Sequence, residues 1–358
     1  ALLGDPALVI GAPLNKVVLD SINGRLLAED DVPCSLKAGS LVRFSGHIAD
    51  AGGALMDGFT GVLSSRLFDK ESTVTCLNQA KKTADEKPFT FQSRDKVLFH
   101  GSDSVRNGRF DFTFVVPVDI SYSNEGGRVV FYAVSDDRQQ EANGYSEEFL
   151  IGGSSDEMAA DTEGPRITAY LNSEDFPYGG KVNATPYFVA ALEDESGINT
   201  TNNGIGHNLE LVIDGNPKTT YNLNDYYINE FGDFRRGTVA FSIPALAPGV
   251  HSLQFRAWDV LNNYSTTELA FQVDPSLRPH FASLSVTNNP AREQTTFLFR
   301  YDRPGSTCTF TIEVFDLSGR LLWTHTENGA NSTGTYAIPW NLTTGGGMPL
   351  STGVYLYR

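Results

Sequence analysis

The sequence has few of the residues that build chemical centres. Its 358 residues include three cysteines, three methionines, three tryptophans and six histidines. No uncharged apolar stretch approaches the roughly 18 residues that a transmembrane helix requires, so none is predicted. The glycine-rich phosphate loop, the nucleotide-binding glycine motif, GxSxG and HExxH are also absent. The residues by themselves therefore indicate no reaction.

Positive charge is also scarce. Lys and Arg number 27 against 43 Asp and Glu, which gives a net charge of −16. Such a balance argues against nucleic acid or an anionic membrane surface as the main partner. The charge is uneven along the chain, with −6 over residues 1–153, −11 over 154–275 and +1 over 276–358. These shifts divide the sequence into regions of different electrostatic character.

What the sequence does contain is typical of an all-β protein. It has 34 Gly, 17 Pro, 23 Phe and 14 Tyr, and 40% of its residues are hydrophobic, which excludes a disordered chain. Residues 110–116 alternate between apolar and polar, the pattern of a half-buried strand. Asn107-Gly108 predicts a type I′ hairpin turn, and Asn143-Gly144 predicts another turn. The fold class predicted is tandem immunoglobulin-like (Ig-like) β-sandwiches, with Phe255 and Trp258 in a core.

Two proline-marked polar stretches, 152–165 and 274–280, have the composition of linkers. They predict three β-sandwiches, which are listed here with their ranges: 16–152, 165–275 and 280–358. Residues 1–15 are apolar around a Gly-Asp-Pro turn, and we interpret them as the end of a domain that precedes this chain.

The three cysteines, Cys34, Cys76 and Cys308, lie in no recognisable nucleophile motif, and a catalytic thiolate also needs a neighbouring base. Cys34 and Cys76 fall in one predicted sandwich. They are candidates for a disulfide, with free thiols as the equally weighted alternative. Cys308 is then the odd cysteine, and we expect it to be buried.

One acidic segment is a candidate metal site. Glu193, Asp194, Glu195 and Asn199 supply carboxylate and amide oxygens on a glycine-containing loop, which are ligands suited to Ca²⁺. The spacing is not that of an EF-hand, so a solvated loop at the end of a sandwich is the favoured alternative. The six histidines are scattered without metal-ligand spacing, which argues against a zinc site.

Three groups of residues resemble one family. The opening LLGDPAL resembles the segment that closes the catalytic domain of gingipain-type cysteine peptidases. DESGINTTNNGIGH (194–207) and AWDVLNN (257–263) are similar to the region after that domain in the gingipain-like sortases of the type IX secretion system. NNP (288–290), EVFDLSGR (313–320) and GVYLY (353–357) resemble a type IX C-terminal domain. The resemblance covers essentially the whole chain.

The resemblance implies a function for a longer protein. Such sortases are cysteine peptidase-transpeptidases on the surface of Bacteroidota, exported through the periplasm to the outer membrane. They remove C-terminal domains from secreted cargo and join the cargo to anionic lipopolysaccharide with a Cys–His dyad. That dyad would lie before residue 1, so no catalytic residue is assigned here and no cofactor is implied. This chain would brace the peptidase domain. Its residues 280–358 would dock on an outer-membrane β-barrel of the PorV type, together with other type IX attachment proteins.

Two other hypotheses fit the same residues. The chain could belong to a secreted adhesin, with aromatic pairs such as Tyr226-Tyr227 at its binding surface. It could also belong to a gingipain-type cargo protein that carries a C-terminal secretion signal. Either would place the last region in the role of a transport signal.

Overall fold

The computed structural model describes residues 13–27, 33–77, 87–120, 122–156, 161–201, 206–277, 281–303, 307–331 and 334–358. The ordered elements in these ranges are β-strands and two short 3₁₀ turns, which confirms the all-β prediction. No helix in these ranges is long and apolar enough to cross a membrane. The opening LLGDPAL lies outside the described residues.

The first sandwich is built around a large mixed sheet of order β8-β5-β11-β12-β1-β4-β9, with β2 paired to β1. A small sheet of order β10-β13-β3 covers it, and β6 and β7 form a separate hairpin. The strands are β1 Asn15–Ile22, β2 Arg25–Leu26, β3 Cys34–Ala38, β4 Leu41–Ala49, β5 Gly61–Phe68, β6 Ser72–Thr75, β7 Thr90–Ser93, β8 Val97–Val105, β9 Arg109–Val115, β10 Glu125–Gly126, β11 Arg128–Ser135, β12 Glu141–Ser146 and β13 Phe149–Ser154.

The second sandwich has two sheets, of order β14-β16-β20-β19 and β15-β22-β21-β17-β18. Its 3₁₀ turns are Pro217–Thr219 and Asn224–Tyr226. The strands are β14 Arg166–Leu171, β15 Lys181–Val182, β16 Tyr187–Glu193, β17 Glu210–Ile213, β18 Thr220–Asn222, β19 Tyr227–Glu230, β20 Asp233–Ser242, β21 Gly249–Trp258 and β22 Tyr264–Val273.

The third sandwich is the smallest, with two three-stranded sheets of order β23-β24-β27 and β26-β25-β28. The strands are β23 Phe281–Val286, β24 Thr295–Tyr301, β25 Cys308–Phe315, β26 Leu321–Gly329, β27 Thr335–Trp340 and β28 Leu356–Tyr357.

Each sandwich has its own aromatic core because alternate residues of its strands face inward. In β9, Phe110, Phe112 and Phe114 are buried and Asp111 is exposed, as the alternation predicts. Phe44 of β4 packs edge-on against Phe114, with ring centroids 5.3 Å apart. Edge-to-face packing of this kind adds about 0.5–1.5 kcal/mol beyond the area buried.

The second and third cores repeat this arrangement with fewer rings. Phe188 packs against Phe255 across the second sandwich, with centroids 5.1 Å apart. Phe297 stacks on Trp340 in the third sandwich, at 5.7 Å. Phe255 is fully buried as predicted. Trp258 is only half-buried, because it ends β21 at the rim of the core, against His207 and Tyr264.

One predicted turn is confirmed and one is wrong. Asn107 and Gly108 both have positive φ, at +51° and +69°, and they join β8 to β9. Asn143 and Gly144 instead lie inside β12, and the turn before β12 spans residues 136–140. A Cβ on Gly144 would lie 2.0 Å from the carbonyl oxygen of Val17, so this glycine permits close strand packing.

Candidate functional site at the junction of the first two sandwiches

Asp119, in the loop after β9, joins the first sandwich to the second. Its Oδ2 accepts a hydrogen bond from Asn199 Nδ2 at 3.2 Å and lies 2.8 Å from His207 Nδ1. Its Oδ1 accepts one from Asn262 Nδ2 at 2.9 Å. Burial alone would raise the pKa of Asp119, but the hydrogen bonds from Asn262, His207 and Asn199 outweigh it and lower that pKa. Asp119 is therefore a charged acceptor shared by three side chains from two loops of its neighbour.

Backbone contacts extend the junction along the sheets. The Val118 N–H donates to the Val260 carbonyl at 2.9 Å, and the Gly232 N–H donates to the Ser102 carbonyl at 2.8 Å. The Asn229 side chain donates to the carbonyl of His100. These bonds connect β8 and the loop after β9 to the β19–β20 hairpin and to the loop after β21, so the junction is held at more than one point.

Three carboxylates converge beside this junction. The side chains of Asp161, Asp194 and Asp259 each offer an oxygen within 4.8 Å of the others. Asp161 precedes β14, Asp194 follows β16 and Asp259 follows β21. Within the described residues, this is the group whose spacing suits a single metal ion. Ser196 Oγ donates to Asp161 Oδ2 at 2.7 Å and so fixes the approach of the linker to the second sandwich.

The charges of these carboxylates oppose one another. Burial, together with the negative charges of Asp259 and Asp161, raises the pKa of Asp194 to about 7. Burial and the charge of Asp161 also raise the pKa of Asp259. Like charges in a desolvated site disfavour ionisation, so the cluster is electrostatically unfavourable without a cation.

The structure does not bring together the four residues predicted as calcium ligands. Only Asp194 belongs to the cluster. Glu193 pairs with Arg236 at 2.6 Å, and Glu195 is exposed. Asn199 is fully buried, but its Oδ1 accepts the backbone N–H and the hydroxyl of Thr201. In this structure Glu193 and Asn199 therefore have protein partners instead of a shared metal position.

Sequence reasoning missed Asp161 and Asp259. Asp259 opens a turn whose N–H groups it accepts, those of Leu261 and Asn263, at 2.9 and 2.7 Å. In AWDVLNN, Asp259 comes three and four positions before two asparagines, and this was the available signal. Nothing local linked Asp259 to Asp194, which lies 65 positions earlier.

A cavity of about 390 Å³ lies between the first two sandwiches, lined by Phe99, Asp103, Phe112, Glu230 and Phe234 among others. Burial and the nearby charge of Asp111 raise the pKa of Asp103 to about 6. The junction therefore combines polar bonds with several carboxylates held near one another.

The cysteines lie outside this junction. All three are free thiols in the structure, so the candidate Cys34–Cys76 bond is not seen. Cys34 begins β3 and is half-buried, whereas Cys76 follows β6 on the separate hairpin and is exposed. Burial raises the pKa of Cys34 and of Cys308, the opposite of what an activated thiolate needs. Cys308, expected to be buried, is half-buried.

The third sandwich presents a different surface. Leu317, Leu321, Met348, Val354 and Leu356 are exposed, with between 47% and 70% of each residue accessible. The turn of EVFDLSGR is held by Asp316, whose Oδ1 accepts the N–H groups of Ser318 and Arg320. This sandwich therefore exposes apolar side chains, whereas the junction gathers buried and half-buried carboxylates.

The fold and the junction define a multidomain β-sandwich chain. Over 99% of its length it is 32% identical to latent, dimeric PorU from Porphyromonas gingivalis. It spans 33% of that protein, and the superposition has a TM-score of 0.49. The likeness is therefore one of sequence along nearly the whole chain, and it is to about one third of PorU.

Other structures are far more distant. Trypsin-activated α2-macroglobulin from Escherichia coli is 12% identical over 92% of this chain and 22% of that chain, with a TM-score of 0.23. A four-repeat segment of a large adhesion protein is 12% identical over 95% and 67%, with a TM-score of 0.21. These values support no argument about function. No family model and no curated protein matches the sequence.

Proposed function

We propose that this chain is the non-catalytic C-terminal part of a type IX secretion sortase related to PorU. The single observation that carries the proposal is the 32% identity over 99% of the chain. The activity belongs to the longer protein: it removes C-terminal signal domains from cargo and attaches the cargo to anionic lipopolysaccharide at the cell surface.

In this proposal the first two sandwiches brace the peptidase domain. A brace must keep its shape when a neighbour is loaded, and several separate bonds resist bending better than one. Asp119 bonds to two loops of the second sandwich, and the backbone pairs Val118–Val260 and Gly232–Ser102 add two further bonds, the latter at the β19–β20 hairpin. This arrangement supports a rigid arm in preference to two freely jointed domains.

The third sandwich, within residues 280–358, is the docking unit in this proposal. Its near-neutral charge lowers repulsion from anionic lipid, whereas the −11 of residues 154–275 would raise it. Its exposed apolar side chains suit contact with an outer-membrane β-barrel of the PorV type. Other type IX attachment proteins would assemble on the same complex.

The test is cargo processing in cells that make the longer protein. Replacing Asp119 by Ala in that protein should leave cargo with its C-terminal domain still attached, as read by intact mass. Asp316→Ala serves as the matched control, because Asp316 accepts local bonds in a turn remote from the junction. Normal processing by the Asp119 variant would contradict the bracing role.

A parent protein that lacks an upstream Cys–His peptidase domain would overturn the assignment as a whole. In that case the adhesin and cargo hypotheses would replace it. The intact mass and N-terminal sequence of the parent distinguish these cases directly.

A further inference from the structure

Both ring nitrogens of His251 face hydrogen-bond acceptors. Nδ1 lies 2.7 Å from Oδ2 of Asp214, and Nε2 lies 2.8 Å from the carbonyl oxygen of Ala247. A carbonyl oxygen and an ionised carboxylate can only accept, whereas a neutral imidazole has one donor nitrogen and one acceptor nitrogen. The two contacts together therefore require one proton more than a neutral ring and an ionised carboxylate supply.

The surroundings of the His251 ring favour its charged form. Only 12% of the side chain is exposed, and the ring stacks on buried Phe271 of β22, with centroids 5.5 Å apart. Burial alone would lower the pKa of His251, but the hydrogen bonds to Asp214 and Ala247 and the charge of Asp214 outweigh it and raise that pKa. The face of an aromatic ring also attracts a cation.

Among the described residues, Asp214 is the charged group that faces this ring. Loop 244–248, which supplies the carbonyl of Ala247, has the sequence Pro-Ala-Leu-Ala-Pro and carries no titratable side chain. The acidic residues nearest to Phe271 in the sequence bond elsewhere, Glu268 with Gln254 and Asp274 with Lys181. The proton shared by His251 and Asp214 therefore sets the charge of this site.

We infer that His251 is a proton-dependent clamp, which in its charged form fixes loop 244–248 and the turn at Asp214 to β21. The turn is held to the same strand by Oδ1 of Asp214, which accepts the N–H of Ser252 at 2.9 Å. Loss of the shared proton leaves one of the two acceptors without a donor, so the loop and the turn separate more readily from β21.

The loop held by this clamp covers part of the core of the second sandwich. Leu246 packs against that core, and its N–H donates to the carbonyl of Ala184 at 2.8 Å. Release of the loop would therefore uncover apolar side chains at this end of the sandwich. His251 lies near the start of β21, whereas the junction contact of Val260 follows its end. The clamp is separate from the junction, and the inference does not depend on the secretion function.

The clamp responds to pH in one direction. Because the pKa of His251 is raised in the folded chain, its contribution to stability is full below the pKa of the unfolded chain. That contribution is lost as pH rises through the pKa of the folded chain. The clamp is therefore closed in mildly acidic solution and loosens as the solution becomes alkaline.

The first test is NMR titration of the histidine rings in the full 358-residue chain. The resonance lost in His251→Gln assigns the ring, or contacts with Phe271 do so if that variant fails to fold. Its pKa should lie above the ordinary 6.5. Asp214→Asn removes the charge while burial remains, so it should lower this pKa. Val250→Thr is the matched control, since Val250 is adjacent and exposed, and it should leave the pKa unchanged.

Hydrogen exchange measures the consequence for residues 244–252. After correction for the intrinsic pH dependence of exchange, their protection should fall between about pH 5.5 and 8.5, by about tenfold for each unit by which the pKa of His251 exceeds 6.5. The fall should be smaller in Asp214→Asn and absent in His251→Gln. A pKa of His251 at or below 6.5 would overturn the inference. So would protection that does not change with pH, or a fall that His251→Gln retains.

Discussion

Two regions of the molecule differ in the contacts that their loops and strands make. One is the junction between the first two sandwiches, and the other is the third sandwich. At the junction, polar loops meet, and Asp119 accepts bonds from three residues of its neighbour. In the third sandwich, Asp316 bonds within its own turn, and apolar side chains remain exposed. The described contacts therefore connect the first two sandwiches to each other, whereas the third sandwich keeps an exposed apolar surface.

The largest expected effect comes from truncating a core aromatic residue in either region. Phe297→Ala should cost about 3–5 kcal/mol of stability in the third sandwich, because Phe297 is fully buried there. Hydrogen exchange followed by mass spectrometry should show faster exchange in residues 281–358 alone. Phe255→Ala in the second sandwich should instead accelerate exchange on both sides of the junction. If both substitutions accelerated hydrogen exchange over the same residues, the contrast between the two regions would be contradicted.

A smaller effect is expected from the junction itself. Asp119→Ala leaves Asn199 and Asn262 without their acceptor and should cost roughly 2–4 kcal/mol in the free energy of unfolding. Urea unfolding measures this loss. Asp316→Ala, the control in the third sandwich, should cost less because the half-buried Asp316 bonds only within its own turn and leaves no donor of another sandwich unpaired. A larger loss for Asp316 would reverse the proposed order.

The two regions should also respond to pH with opposite signs. The pKa of Asp103 is raised to about 6, so its contribution is full below about pH 4 and is lost as pH rises towards 6. The pKa of Asp316 is lowered by hydrogen bonds from Ser318 and Arg320, so its contribution is present above pH 4 and lost as pH falls.

Asp103→Asn and Asp316→Asn separate these contributions. Relative to the unchanged chain, Asp103→Asn should become progressively more stable between pH 4 and 6. Asp316→Asn should become progressively less stable as pH rises towards 4. Urea midpoints measured across pH 2–7 provide both slopes, and slopes of the same sign would contradict the contrast.

The smallest effect concerns the thiols. Cys34, Cys76 and Cys308 are free in the structure, so thiol titration of protein unfolded without reductant should find three reactive groups. Cys76 should react before unfolding because it is exposed, whereas half-buried Cys34 and Cys308 should react slowly. A count of one reactive thiol would instead support a Cys34–Cys76 disulfide.

Local patterns in the sequence predicted much of the fold because strands and turns depend on neighbouring residues. The alternation through Phe110 and Phe114 and the Asn107-Gly108 turn were both correct. The turn predicted at Asn143-Gly144 was wrong. Glycine is required there because the backbone of Val17, on a strand more than a hundred residues earlier, leaves no room for a side chain. No local pattern reveals such a contact.

The candidate site shows the same limit. The segment around Asp194 was recognisable from its carboxylates, and Asp194 does lie in the acidic cluster. Its partners Asp161 and Asp259 come from a linker and from the end of β21, which only the folded sandwich brings together. Glu193, the last residue of β16, instead pairs with Arg236 of the neighbouring β20.

The most direct test of the account is surface retention of the longer protein in two versions. One lacks residues 281–358, and the other carries Asp119→Ala. Surface labelling and fractionation should find the first released into the medium and the second retained on the cell but defective in cargo processing. Retention of the version without the third sandwich would contradict the account.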